Sequence, residues 1–146
     1  MNDLDIYNNN LKKNILIKLR NTINENNFIF GKSVKKLELL LVKFTGSKFV
    51  ISVGSGTDAL MLSLISLNLK KGDEIIIPSF SWLSVIEVVL FLKLKPVFVD
   101  TNINDFNLDV NHVKKLINSK TKVVISTSLF GRTCNLFELK KILPKR

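Results

Sequence analysis

Four short apolar runs, "KFVISV" (48–53), "EIIIP" (74–78), "KPVFVD" (95–100) and "KVVIST" (122–127), are separated by segments of helical spacing. Runs that are apolar on both faces, with helices in the gaps, predict a parallel sheet covered on both sides. The intervening helices are predicted from Gly56 to about Leu69, over 81–92 with Ser81 near its start, after Asp109 as N-cap, and over 136–143. Each crossover in such a sheet is right-handed, and ligands bind beyond the carboxyl ends of the strands. An α/β fold is therefore the expectation.

The chain begins differently. Leu11, Ile15, Leu16, Leu19 and Ile23 recur with helical period over 9–26, and "NENNFIFGKS" breaks that helix. Val34, Leu37, Leu40, Leu41 and Phe44 mark a second helix, which Gly46 is placed to stop. The expected organisation is a helical segment over 1–46 followed by βα units over 47–146. The helix after the fourth run has no returning strand to share it with, so the sequence reads as cut rather than completed.

Composition removes several classes. A hydrophobic fraction of 46% in 146 residues is enough for a core and argues against disorder. The net charge of +10 invites a nucleic-acid reading, but the lysines are spread along an Asn- and Ile-rich chain without a basic block. Neither a nucleic-acid partner nor a membrane is expected: "SVIEVVLFLKL" contains Glu87 and Lys93 and is too short to span a bilayer. The opening "MNDLDIYNNN" is not a secretory signal, and the single cysteine, Cys134, cannot form an internal disulfide. The expected location is the cytoplasm.

The most informative turn is "VGSGTDAL", where the first strand passes into a helix. Ser55 and Asp58 have the spacing of a capping box, which accounts for those two residues. It does not account for Gly54 and Gly56 on either side of the cap. Two absent side chains would let a ligand approach the backbone, where free N–H groups at a helix start attract negative charge. The Thr57 hydroxyl adds a donor. The turn lacks the third glycine of a dinucleotide fingerprint and the Gly-Lys-Ser/Thr of a P-loop. After the second strand, "PSFSW" brings Trp82 to the same edge of the sheet, where an indole could stack on a flat ring or pack into the next helix. Together the two loops suggest a phosphorylated aromatic cofactor.

Four ordered blocks, "GKSVKKLELLLVKFTGSKFVISVGSGTDALMLSL", "KKGDEIIIPSFSW", "KPVFVDTNINDFNLD" and "SLFGRTCNLFEL", resemble the N-terminal part of the DegT/StrS sugar aminotransferases. The resemblance runs from about Phe28 to Leu143. It implies the N-terminal part of a three-layer α-β-α large domain with a mainly parallel sheet, and pyridoxal 5′-phosphate as cofactor. It further implies that Ser55, Gly56 and Thr57 bind the cofactor phosphate and that Trp82 stacks on the pyridine ring. Gly31, Ser128, Phe130 and Gly131 are implied to lie near the cofactor and sugar pocket. The implied reaction converts a nucleotide-linked keto-sugar to an amino-sugar with glutamate as amino donor, in a homodimer.

The departures from the family pattern are equally specific. The family's Schiff-base lysine, and the acid that pairs with the pyridine nitrogen, fall beyond residue 146, so no catalytic residue is assigned in this chain and none of the family's turnover is expected of it alone. Arg132 replaces a residue that is often histidine or uncharged, and "VVIST" lacks a common proline. A non-catalytic remnant of the family and a basic nucleic-acid-binding protein are the competing readings. Outside these blocks, His112 reads as a surface residue with no metal-ligand cluster, and Cys134 as an inert thiol.

Overall fold

The structure, a computed structural model, describes residues 5–26 and 28–143. It divides into two compact units, Met1–Ser52 and Val53–Arg146. The first unit holds α1 (Asp5–Asn24) and α2 (Lys32–Thr45). Gly46 ends α2 as expected: its φ of 70° is left-handed and its N–H donates to Val42 O. The apolar stripes of both helices are present but uncovered within the structure described. Leu11, Ile15, Leu19, Leu37, Leu40 and Phe44 are all exposed.

The second unit holds α3 (Gly56–Ser66), β1 (Glu74–Pro78), α4 (Leu83–Phe91), β2 (Lys95–Val99), α5 (Val110–Leu116), β3 (Thr121–Val124), a 3-10 turn (Leu129–Gly131) and α6 (Leu136–Ile142). The three strands form one parallel sheet in the order β2-β1-β3. β1 is central and buried along its whole length. Because successive side chains alternate across a sheet, β1 feeds two cores. Ile75 and Ile77 pack with Leu64 of α3 and with Val85, Val88 and Val89 of α4. Ile76 packs with Val99, Leu108, Val113 of α5, Cys134 and Leu139 of α6. The result is helix, sheet, helix, and each such buried side chain contributes about 1.5–3 kcal/mol.

The amino end of the sheet is stapled by a single carboxylate. Glu74 is in register with Lys95, whose Nζ lies 3.0 Å from Oε1, and its Oε2 accepts Asn118 Nδ2 at 2.7 Å. The Asn118 hydrogen bond, followed by that from Lys95, holds the Glu74 carboxyl below the ordinary glutamate range.

Two strand expectations change. Residues 48–53 join no ladder, although Phe49, Ile51 and Val53 alternate as a strand would. All three are exposed, and an apolar pattern cannot by itself supply the neighbouring strand that backbone N–H and C=O groups require. The last strand ends at Val124 rather than Thr127. Ile125 N still donates to Ile76 O at 2.9 Å, after which the chain turns away from β1.

Candidate cofactor site

Ser55 caps α3 in extended conformation, with φ −156° and ψ 168°. Its Oγ accepts the Asp58 N–H at 3.1 Å and its carbonyl accepts the Ala59 N–H at 3.0 Å. That leaves the N–H groups of Gly56 and Thr57 without an acceptor among the described residues, at the positive end of an eleven-residue helix. A Cβ on Gly56 would meet nothing within 4 Å, so the backbone there is open to an incoming group. Gly54 has a different purpose from the one expected. A Cβ there would stand 2.9 Å from Asp58 Oδ2, so the space its missing side chain leaves is taken by the helix's own carboxylate. One glycine serves the cap, and one is free for a ligand.

Beyond the carboxyl ends of β1 and β3 lies a cleft of about 330 Å³ lined by Phe80, Ser81, Trp82, Leu129 and Phe130. Trp82 is the N-cap of α4 and is 78% exposed, so it is not a core residue of that helix. Ser81, expected near the helix start, does not cap it. Its Oγ is buried with no hydrogen-bond partner, as is Thr127 Oγ1. Buried hydroxyls without partners are costly, and a polar group entering the cleft would relieve the one at Ser81.

The turn after β3 shapes the opposite wall. Ser128 precedes the 3-10 turn, Phe130 takes a left-handed conformation with φ 55°, and Gly131 follows with φ 76°. The Phe130 ring meets Phe106 edge-on at 5.7 Å, and Phe106 in turn lies 6.1 Å from Phe80. Sequence reasoning missed Phe106, which sits inside the Asn/Asp-rich stretch "NINDFNLD" and carries no periodic signal. Arg132 reaches across to the loop after β2, where its Nη1 donates to Asn104 O at 2.5 Å.

The predicted residues thus fall into three places. Trp82 and Phe130 share the cleft, with Ser128 and Gly131 flanking Phe130 in the same turn. Ser55, Gly56 and Thr57 form the first turn of α3, which packs along α4 and so belongs to the same layer as Trp82. Gly31 lies in the first unit, where it is the buried N-cap of α2 and its carbonyl accepts the Val34 and Lys35 N–H groups.

Two further residues are settled by their partners. His112 is half-buried rather than a free surface residue, and its Nδ1 accepts the Asp100 N–H at 3.2 Å. Cys134 is buried, and burial raises its thiol pKa above the ordinary value, which agrees with an unreactive core thiol. The donors present fit a phosphorylated planar group: two free N–H groups and a hydroxyl for the anion, and an exposed indole for the ring.

Comparison with known proteins agrees with this chemistry. Residues 9–146 match the DegT/DnrJ/EryC1/StrS aminotransferase family. The UDP-2-acetamido-2-deoxy-3-oxo-D-glucuronate aminotransferase of Pseudomonas aeruginosa is 33% identical over 135 residues, which cover 92% of this chain and 38% of that protein. A structure of E. coli GDP-4-keto-6-deoxy-D-mannose-3-dehydratase with bound hydrated PLP is 33% identical, with a TM-score of 0.80 over 84% of this chain and 33% of that one. A DegT DnrJ EryC1 StrS aminotransferase from Brucella abortus superposes with a TM-score of 0.88 at 26% identity, covering 96% of this chain and 39% of the other. The chain therefore spans between about a third and two fifths of the length of these relatives. By the family match over 9–146, this chain belongs to the DegT/DnrJ/EryC1/StrS aminotransferase family.

Proposed function

We propose that these residues form the phosphate-binding and ring-stacking part of a pyridoxal-phosphate-dependent nucleotide-sugar aminotransferase. The observation that carries the reading is the exposed Trp82 indole in a cleft at the carboxyl edge of a parallel sheet. The Gly56 and Thr57 N–H groups and the Thr57 hydroxyl hold the phosphate, with Ser55 shaping the turn. Trp82 covers one face of the ring, and Ser128, Phe130 and Gly131 border the sugar. The segment over 1–46 is a helical unit of its own, and 47–146 form part of the cofactor-binding domain. When bound, the cofactor supplies the electron sink for moving an amino group from an amino acid such as glutamate to a keto-sugar. No residue of this chain is assigned the Schiff-base or ring-nitrogen role in that step.

The proposed protein is a cytoplasmic homodimer. The uncovered stripes of α1 and α2 support a partner subunit.

Trp82 is the only tryptophan in the sequence, so cofactor binding can be followed by its fluorescence. Pyridoxal 5′-phosphate should quench it saturably, and pyridoxal without the phosphate should quench it at least tenfold less tightly. Equal affinity for the two compounds would remove the phosphate cradle from the proposal.

A further inference from the structure

Two loops meet at the carboxyl end of the sheet, 101–108 after β2 and 128–132 after β3. The first closes on itself through an antiparallel bridge between Thr101 and Leu108, with Asn102 N donating to Asn107 O at 2.8 Å and Phe106 N to Asn102 O at 2.9 Å. The second closes through Arg132 N to Leu129 O at 3.0 Å. Each loop then holds the other. Arg132 Nη1 donates to Asn104 O, and Asn107 Nδ2 donates back to Arg132 O at 3.3 Å. Asn107 is only 3% exposed, and with its Oδ1 buried without a partner among the described residues, the bond to Arg132 O is the one its side-chain amide makes.

Each loop also carries one phenylalanine in the left-handed region, Phe106 at φ 60° and Phe130 at φ 55°. An L-residue with a bulky side chain keeps that conformation only where its surroundings over-determine it. Here the two strained residues meet ring to ring, edge-on, with the Arg132 and Asn107 hydrogen bonds beside them. Phe130 is a wall of the Trp82 cleft, and Phe106 backs Phe80, another wall.

We propose that Arg132 and Asn107 are positioning residues: by tying loop 101–108 to loop 128–132 they brace Phe130 as a wall of the Trp82 cleft, and so set how well the cleft accepts a planar ring. The identity of that ring rests on the cofactor reading above; the brace itself does not. Arg132 acts through the loop, not on the ligand. A lysine in its place keeps the charge and three rotatable N–H donors on one nitrogen but loses the planar fork that fixes direction.

Hydrogen exchange followed by mass spectrometry on the full chain tests the brace without any ligand. Arg132→Ala should raise exchange at least fivefold in both 101–108 and 128–132, while the amides of Ile75, Ile76 and Ile77 keep their protection. Arg132→Lys should restore part of the protection, and Asn107→Ala should loosen the same two segments together. Unchanged exchange in 101–108, or a rise confined to 128–132, would overturn the brace. Loss of protection in β1 as well would also overturn it, since Arg132 would then support the whole fold. A pyridoxal 5′-phosphate titration of Trp82 fluorescence separates the two ideas. Binding weakened three- to tenfold in Arg132→Ala supports both, binding unchanged by that variant overturns the brace's part in shaping the cleft, and no binding to the parent chain sinks the cofactor reading while the exchange result still decides the brace.

Discussion

The Asp58 carboxylate occupies the space where Gly54 lacks a side chain, so close that a Cβ on Gly54 would lie 2.9 Å from Oδ2. The two glycines of the turn are thereby distinguished, one by its own helix and one by open space. Gly54→Ala should cost less than about 1 kcal/mol, because the end of a short side chain can swing aside without moving backbone. The cost should disappear when Asp58→Ala is already present, and thermal melts of the single and double variants measure that coupling. A large penalty that persists without Asp58 would show that something other than the carboxylate demands the glycine.

Gly56 should behave oppositely. It is the first residue of α3 and its Cβ position is empty, so Gly56→Ala should leave stability unchanged or raise it by about 0.5 kcal/mol. Gly56→Val should instead weaken pyridoxal 5′-phosphate binding about tenfold or more by blocking close approach to the free N–H groups, whereas Thr57→Ser keeps a hydroxyl and should stay within about threefold. Binding constants for the two variants decide it, and equal, negligible effects would exclude this turn as the phosphate site.

At the other end of the sheet, the Glu74 carboxyl titrates below the ordinary glutamate value of about 4.3 because Asn118 and Lys95 hydrogen-bond its charged form. A carboxyl lowered in the folded state adds stability that is present above its unfolded pKa. That stability is lost as pH falls through the folded value. Urea melts of the parent and of Glu74→Gln should therefore differ most near neutrality and converge as the pH is taken below about 4. A difference that stays constant across that range would mean the charge plays no part.

What the sequence made legible is what local chemistry decides. The Gly46 stop and the Asp109 cap, whose Oδ1 accepts the Asn111 and His112 N–H groups, need only their own neighbours in the chain. The segment 48–53 shows the limit: its pattern is that of a strand, but ladder formation depends on a partner that pattern does not supply. The Gly54–Asp58 contact is invisible for a related reason, since it depends on which way one carboxylate turns. Phe106 and Arg132 were hidden because their roles arise between loops about 25 residues apart, and no spacing rule links such positions.

Ser81 offers a cleaner separation of stability from binding. Its Oγ is buried and unpartnered, so Ser81→Ala removes an unsatisfied group and should leave the ligand-free chain as stable as before or up to about 1 kcal/mol more stable. If the hydroxyl meets a polar edge of the bound ring, the same change should weaken pyridoxal 5′-phosphate binding several-fold. A drop in melting temperature without ligand would show that the hydroxyl already has a partner in solution.

The final prediction concerns lysine chemistry in the second unit. The Lys93 and Lys120 carbonyls accept the Gly72 and Glu74 N–H groups, and Lys95 pairs with Glu74, so all three belong to the amino end of the sheet. Lys114 and Lys115 lie in the last turn of α5, and a crossover helix runs antiparallel to its strands, which brings that turn to the same end. The Trp82 cleft is at the carboxyl end, a strand length of roughly 16 Å away for five residues. Among the described residues no lysine lines it: its walls are Phe80, Ser81, Trp82, Leu129 and Phe130. A covalent partner for the cofactor's aldehyde must be held beside it, since a flexible surface amine gains nothing from proximity. Borohydride reduction of the 146-residue chain in the presence of pyridoxal 5′-phosphate, followed by peptide mapping, should therefore give only scattered, substoichiometric labelling over residues 53–146, and no amino transfer from glutamate. One lysine of that unit labelled in stoichiometric amount would show that the chain brings an amine into the cleft by a route this arrangement does not contain.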